Sequence, residues 1–398
     1  MPAAMPRSLT NPTSPPPPVR RRFGDLAAVS PFSLGTMRAL SGPAQMEAVL
    51  RAAAAAGINH IETAAAYGPA ETFLGQGLAV LEREAIAPEG GWLITSKIMP
   101  GPELPEAKQQ LCAMLKRLGV PQLAGLAVHG INRSDHLSWA TRGPGAELLA
   151  WALGEGLVAQ VGFSSHGSTE LIEAALASGQ FRFCSLHLHL FDQARLPVAR
   201  AALADGIGVM AISPADKGGR LYDPPPELLA DCAPHHPLEL AYRFLLDQGV
   251  STLTLGAEQP SDLAWANALA GPSASAGGSW LAPEHRAALA NLEAAARERL
   301  AAGRCGQCRA CLPCPNEVPI PALLRLRNLA VGHGMEVFAA ERYNLINRAG
   351  HWWETVNASA CASCGACLPR CPLGLDIPGL LADTHQRLAA APGRRLWD

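Results

Sequence analysis

Long apolar stretches are missing from this chain of 398 residues. No run approaches the roughly 20 residues a membrane-spanning helix needs, and the N-terminus lacks the continuous apolar core of a secretory signal. The expectation is a soluble, cytoplasmic protein with no membrane contact. Charge of one sign is missing as well. Lysine plus arginine number 32 against 34 acids, a formal charge of -2, so nothing in the balance argues for nucleic acid or an anionic lipid surface as a partner. A small molecule fits better. Acidic residues are absent from positions 1 to 22, which carry four arginines and the run Pro15 to Pro18. Such a segment cannot build a core and reads as a disordered tail.

Cysteine is plentiful instead. Eight of the eleven fall after residue 304 in two tight groups, and without an export signal they point to metal ligation rather than disulfides. The first group is Cys305-Gly-Gln-Cys308-Arg-Ala-Cys311-Leu-Pro-Cys314-Pro315. The second is Cys361-Ala-Ser-Cys364-Gly-Ala-Cys367-Leu-Pro-Arg-Cys371-Pro372. Three thiolates at two-residue intervals wrap one face of an iron-sulfur cubane, while the fourth cysteine, followed by proline, ligates the other cluster. This assigns Cys305, Cys308, Cys311 and Cys371 to one [4Fe-4S] cluster, and Cys361, Cys364, Cys367 and Cys314 to a second. Zinc competes for Cys-x-x-Cys pairs, but zinc knuckles are paired across longer gaps than this twice-repeated triplet.

The groups resemble those of two-cluster ferredoxins, with a longer insertion between them. Its recurring apolar positions from Ile320 to Tyr343 predict helix, which resembles the α-helical ferredoxin variant. Ile320-Pro321 and Ile377-Pro378 follow their respective Cys-Pro pairs at similar intervals, a rough internal repeat.

Between residues 30 and 270 short β-type runs alternate with amphipathic segments, the pattern of parallel βα units. The strand candidates are 33–37, 58–63, 92–98, 123–129, 159–164, 183–190, 208–213 and 251–255. Eight strands with helices between them predict an α/β fold, a (β/α)8 TIM barrel. A doubly wound sheet would normally carry Gly-x-Gly-x-x-Gly after the first strand, and residues 33–41 do not. The expected division is a tail over 1–22, a barrel over 23–300 and a small, mainly α-helical two-cluster domain over 301–398. In such barrels chemistry sits at the C-terminal ends of the strands. Glu62, Lys97, His129, Ser164 and Ser165 fall there, with Tyr67 just beyond the second strand. His187 and His189 alternate with leucines and are expected to point into the barrel. Cys112, Cys184 and Cys232 read as small buried or half-buried residues.

Over roughly residues 20 to 270 the chain resembles the aldo/keto reductases. The resemblance is carried by Ile61-Glu-Thr-Ala-Ala-Ala-Tyr67-Gly, Thr95-Ser-Lys97, Val128-His129, Gly162-Phe-Ser-Ser165-His and Ile212-Ser213-Pro-Ala-Asp-Lys217-Gly-Gly-Arg220-Leu. It implies an NAD(P)H-dependent reductase of a small carbonyl compound. Tyr67 would be the general acid, Lys97 would lower its pKa, Glu62 would hold Lys97, and His129 would orient the carbonyl. Ser164, Ser165, Ser185, Ile212 and Ser213 would lie about the nicotinamide, Lys217 and Arg220 near the pyrophosphate, and Gly256 with Ala257 at the adenosine phosphate. The cofactor would be NADP, with NAD left open by the acids Glu258 and Asp262. Three positions depart from the family: Glu62 replaces an aspartate, Ser185 a common glutamine, and Ile212 an aromatic ring.

A barrel of this kind followed by a two-cluster domain also resembles a subgroup of fused reductases, which leaves room for a redox protein partner. Two other readings stand beside electron transfer. In one the clusters are purely structural; in the other the barrel has lost catalysis and serves as a docking module.

Overall fold

The computed structural model describes residues 19–215, 219–269 and 279–390. Eight parallel strands close into a barrel: β3 (Phe32–Gly35), β4 (His60–Glu62), β5 (Leu93–Ile98), β6 (Gly125–Val128), β7 (Val161–Ser165), β8 (Phe183–Leu186), β9 (Gly208–Ala211) and β10 (Thr252–Gly256), which pairs back onto β3. The register sets Gly35 beside Glu62, and Glu62 beside Thr95. All eight expected runs are strands. Most are shorter than the runs suggest, because the polar residues at their C-terminal ends leave the ladder to line the barrel mouth. The run 183–190 is the extreme case. Its strand stops at Leu186, and His187 and His189 follow in irregular backbone.

The helices between strands are amphipathic. In Leu104–Leu118 the side chains of Ala107, Leu111, Met114, Leu115 and Leu118 are buried at three- and four-residue steps. Each buried leucine contributes about 1.5–3 kcal/mol by leaving water, so this face fixes the helix against the sheet.

An N-terminal hairpin, β1 (Arg21–Phe23) with β2 (Leu26–Val29), was not evident in the sequence. It shortens the expected tail. Arg21 and Arg22 belong to β1, and Arg20 Nη1 donates to Gly57 O at 2.9 Å; residues 1–18 lie outside the described residues. The hairpin plugs the bottom of the barrel. Phe23 is fully buried, with its ring 4.9 Å from Phe183 and 5.4 Å from His60.

After the barrel, helix Pro283–Leu300 packs on helix Ile320–His333, and the two remaining long elements are helices Glu336–Tyr343 and Ile377–Leu388. The helical stretch expected over 320–343 is therefore broken. Gly334 takes φ +67° and closes the first helix, a left-handed turn that glycine adopts without a Cβ penalty. Ile320-Pro321 and Ile377-Pro378 each begin a helix, and both isoleucines are buried. The internal repeat is thus structural.

This C-terminal segment lies on the barrel mouth. Arg325 reaches Asp192 at 3.5 Å, Arg220 reaches Glu341 at 2.6 Å, and Phe191 packs on His333 with ring centroids 4.6 Å apart. Among the described residues no helix is long and apolar enough to cross a membrane.

Candidate active site and cysteine centres

Glu62 ends β4, Lys97 lies near the end of β5, and His129 follows β6 directly. The turn after β4 brings Tyr67 back over the mouth, where these four side chains meet. Lys97 Nζ donates to Tyr67 Oη at 2.9 Å and to Thr63 O at 3.0 Å, and it is ion-paired with Glu62. Tyr67 Oη donates to Glu62 Oε1 at 3.1 Å. The His129 ring stands edge-on to Tyr67, with centroids 5.7 Å apart. Glu62, Lys97 and His129 are buried. The extra methylene of Glu62 is absorbed: its carboxylate reaches both the ammonium and the phenol.

Burial pushes the Tyr67 phenol above the ordinary tyrosine range and the Lys97 ammonium well below the ordinary lysine range. The sequence expectation that Lys97 lowers the phenol's pKa describes only one of two opposed effects. Burial keeps the proton on the oxygen, and the ammonium beside it stabilises the phenolate left when the proton departs. A phenol held this way is a stored acid.

These residues form the floor of a cleft of about 550 Å³. Ser164, Ile212, Ser213 and Gly256 line it as expected. Ser164 Oγ accepts from Gly130 N at 2.9 Å. Other expected contacts lie elsewhere. Ser165 Oγ donates to Ile131 O at 2.7 Å, because alternation along β7 turns it to the face opposite Ser164, and Ser185, level with Ser164 on the neighbouring strand, contacts Met210 Sδ at 3.8 Å. Ala257 is buried off the cleft, and Arg220 is committed to Glu341. Lys217 lies outside the described residues.

The cleft also takes Arg38, Tyr222, His236 and Trp265, which sequence reasoning missed. Arg38 follows the end of β3 closely and stacks over the Tyr222 ring at 5.4 Å; a cation just past the first barrel strand is the signal that could have found it. Asp262 is less hostile to phosphate than its charge implies. Its Oδ2 accepts from Glu258 N at 2.8 Å and Gln259 N at 3.1 Å.

The two cysteine groups have a common winding. Gln307 and Arg309 in the first loop, and Ser363 and Gly365 in the second, occupy corresponding positions and all have positive φ. Successive left- and right-handed residues turn backbone N–H groups inward, a cradle suited to sulfur; Gln307 N donates to Cys305 Sγ at 3.4 Å. Cys314 joins Cys361, Cys364 and Cys367 around one small cavity closed by Ile320, Pro378 and Leu381. Burial raises the Cys305 thiol, and Cys308 and Cys371 act in the same direction; Cys367 is raised by burial and then by Cys361, Cys364 and Cys314. Each triplet is thus close to the other group's fourth cysteine. Three thiols from one loop and one from the other, beside inward-turned backbone N–H groups, are the donors a cubane takes. The donor set fits the cluster.

Among the described residues, His235, Glu239 and His285 bring ligand-type atoms close together. It is a hydrogen-bonded helix start. His285 Nδ1 accepts from Ala282 N at 3.0 Å, so its proton sits on Nε2, facing Glu239 Oε1 at 3.5 Å, and Arg243 already donates to that oxygen at 2.7 Å.

A family model described as the aldo/keto reductase family matches residues 31–268. No curated protein matches the chain by sequence. Among solved structures, an aldo-keto reductase from Bacillus halodurans in its holo form is 18% identical at a TM-score of 0.56, covering 68% of this chain and 95% of that one. One from Klebsiella pneumoniae in complex with NADP and acetate is 21% identical at 0.53, covering 69% and 94%. One from Bombyx mori in complex with NADP is 19% identical at 0.53, covering 70% and 92%. These likenesses are of fold, and the family match ends at residue 268, before the cysteine groups.

Proposed function

The chain belongs to the aldo/keto reductase family, and on that premise we propose that it reduces a small organic carbonyl with NADPH or NADH bound in the cleft over Tyr67. The observation that carries this reading is the position of Tyr67 Oη, which receives a hydrogen bond from Lys97 Nζ and donates one to Glu62 at the floor of a nucleotide-sized cleft. A nicotinamide held there supplies hydride to the carbonyl carbon. Tyr67 gives its proton to the carbonyl oxygen, and Lys97 stabilises the phenolate that results. Glu62 fixes Lys97 and keeps the buried ammonium paired. His129, edge-on to Tyr67, donates to the same carbonyl oxygen and sets its direction. Ser164, Ile212 and Ser213 lie about the nicotinamide, Gly256 lets the adenosine end approach the backbone, and Arg38 serves the phosphate of NADP.

The C-terminal cysteines would hold two [4Fe-4S] clusters: Cys305, Cys308, Cys311 and Cys371 the first, Cys361, Cys364, Cys367 and Cys314 the second. Such clusters supply one-electron chemistry, whereas nicotinamide delivers two electrons as hydride. On this reading the segment from residue 301 onward would serve as a ferredoxin-like unit of a cytoplasmic reductase, and a redox protein partner would exchange electrons with it. Glu62 meets both Lys97 and Tyr67 despite its extra methylene, which supports catalysis over the docking-module reading.

The test is Tyr67→Phe in anaerobically purified protein. Carbonyl reduction should fall by about 10²–10⁴-fold, with iron content and NADPH affinity unchanged; unchanged turnover would overturn the assignment. Adding NADPH to the oxidised protein separates the two roles of the clusters. Bleaching of the broad visible absorption shows electron transfer, and its persistence during carbonyl turnover shows a structural role.

A further inference from the structure

The segment between helix Glu336–Tyr343 and the second cysteine group folds back over the barrel mouth, and its Trp352 lies against the active site. The Trp352 ring is 5.1 Å from the His129 ring, tilted at 55°, and 5.1 Å from His166, nearly perpendicular at 72°. His166 in turn meets His187, Nε2 to Nε2, at 3.0 Å. The barrel is shaped to receive the indole. Gly130, next to His129, has φ +82°, and a Cβ there would come within 2.7 Å of Trp352 Cη2 and Cζ3. Asn132 ties the two sides together, accepting from His166 N at 2.7 Å and donating to His351 O at 3.4 Å. His351 packs edge-on to His136 at 5.1 Å, and His136 Nδ1 bonds Gly130 O at 2.8 Å.

The same segment is anchored in the cysteine domain. Trp353 Nε1 donates to Arg342 O at 3.1 Å. Asn347 N donates to Glu354 O at 2.9 Å. Ala358 N, just before Cys361, donates to Tyr343 Oη at 3.1 Å. The segment that carries Trp352 is thus tied to helix Glu336–Tyr343, and its tie at Ala358 lies three residues before Cys361.

We propose that Trp352 is a positioning residue for His129, so that the folded state of the cysteine domain sets whether the barrel reduces its carbonyl. This rests on the reading of Tyr67 and His129 as a carbonyl-reducing pair and of the cysteines as cluster ligands. The proposal gives the clusters a role without electron transfer. Their loss to oxygen would loosen the second cysteine loop, unseat Trp352, and leave His129 free to turn from the carbonyl. Trp352 thus braces two residues that line the cleft, His129 and His166, from behind.

The experiment compares wild type, Trp352→Phe, Trp352→Ala and the double variant Cys361→Ala/Cys364→Ala, all reconstituted anaerobically and labelled at the histidine Cε1 positions. Trp352→Ala should lose roughly tenfold to a hundredfold in kcat, the penalty of a group displaced by about an ångström, with iron content and NADPH affinity at wild-type levels. Trp352→Phe, which keeps a ring on His129, should recover most of that rate. The His129 and His166 resonances, which feel the indole ring current, should move in Trp352→Ala and move alike in the double cysteine variant. A wild-type kcat with unmoved resonances in Trp352→Ala would overturn the proposal, as would a double cysteine variant that keeps both. Should the wild type reduce no carbonyl, the catalytic reading fails, and the resonances still decide whether Trp352 seats on His129 under control of the cysteine loop. Should it hold no iron, the cluster reading fails, and the Trp352 variants decide the rest.

Discussion

Replacing Lys97 by methionine keeps the length and apolar stem of a side chain only 2% exposed and removes its charge. Its Nζ lies 2.9 Å from the oxygen of Tyr67. At an effective dielectric of about 20, an ammonium at that distance favours a full phenolate by about 6 kcal/mol, so a transition state carrying half the charge loses roughly 3 kcal/mol, on the order of a hundredfold in kcat. The pH dependence has a definite sign. Burial depresses the Lys97 pKa, the ammonium is the active form, and it is lost as pH rises through that depressed value. Wild-type kcat should therefore fall on the alkaline side, while Lys97→Met, with nothing there to titrate, stays flat at its lower rate. Steady-state turnover of an aldehyde at saturating NADPH measures both, with nucleotide affinity and iron content as controls. A Lys97→Met kcat within about threefold of wild type, with NADPH binding intact, would refute the assignment, because general acid catalysis that needs this cation cannot survive its loss.

Two further outcomes follow from the cysteine loops and the barrel core. Cys314→Ala and Cys371→Ala should each remove about half the iron, and the reduced proteins should give different electron paramagnetic resonance signals, since each cysteine would serve the cluster of the other triplet; full iron in either variant would break the crosswise assignment. His60 is buried between Ser33 Oγ at 2.6 Å and Thr95 Oγ1 at 2.9 Å, and burial, aided by the charge of Lys97, lowers its pKa to about 3. The unfolded chain takes up that proton first. The stability this histidine leaves intact above about pH 6.5 is lost progressively as pH falls toward 3, by about 2 kcal/mol at pH 5. Thermal unfolding of His60→Gln should show a correspondingly shallower acid dependence, and identical slopes would mean that His60 is protonated in the fold.

The eight strands were readable because each is an apolar run ending in polar residues, and a parallel barrel leaves that signature whatever its loops do. Tyr67, Glu62, Lys97 and His129 could be found for the same reason: they stand at or just past strand ends, where the resemblance also places them. The hairpin Arg21–Val29 could not. Its first strand is three residues long and opens on two arginines, a pattern that reads as a basic tail until Phe23 is seen against Phe183. Arg38 and Tyr222 come from two separate loops and Trp265 from the helix Ala264–Leu269, and nothing local marks them as sharing a cleft. Trp352 is the hardest of all, because its neighbour His129 lies more than two hundred residues earlier. Ser165 shows the converse error, since strand alternation turns it to the face opposite Ser164, while Ser185 shares the face of Ser164 and is taken up by Met210.

The Phe23 plug leaves the barrel with one doorway. On the proposed reading nucleotide and carbonyl share it, and Trp352 packs at its edge on His129 and His166. On that reading, a single opening would set an order, the nucleotide entering first and leaving last, and whatever tightens the C-terminal segment over the mouth would slow that exit while it steadies His129.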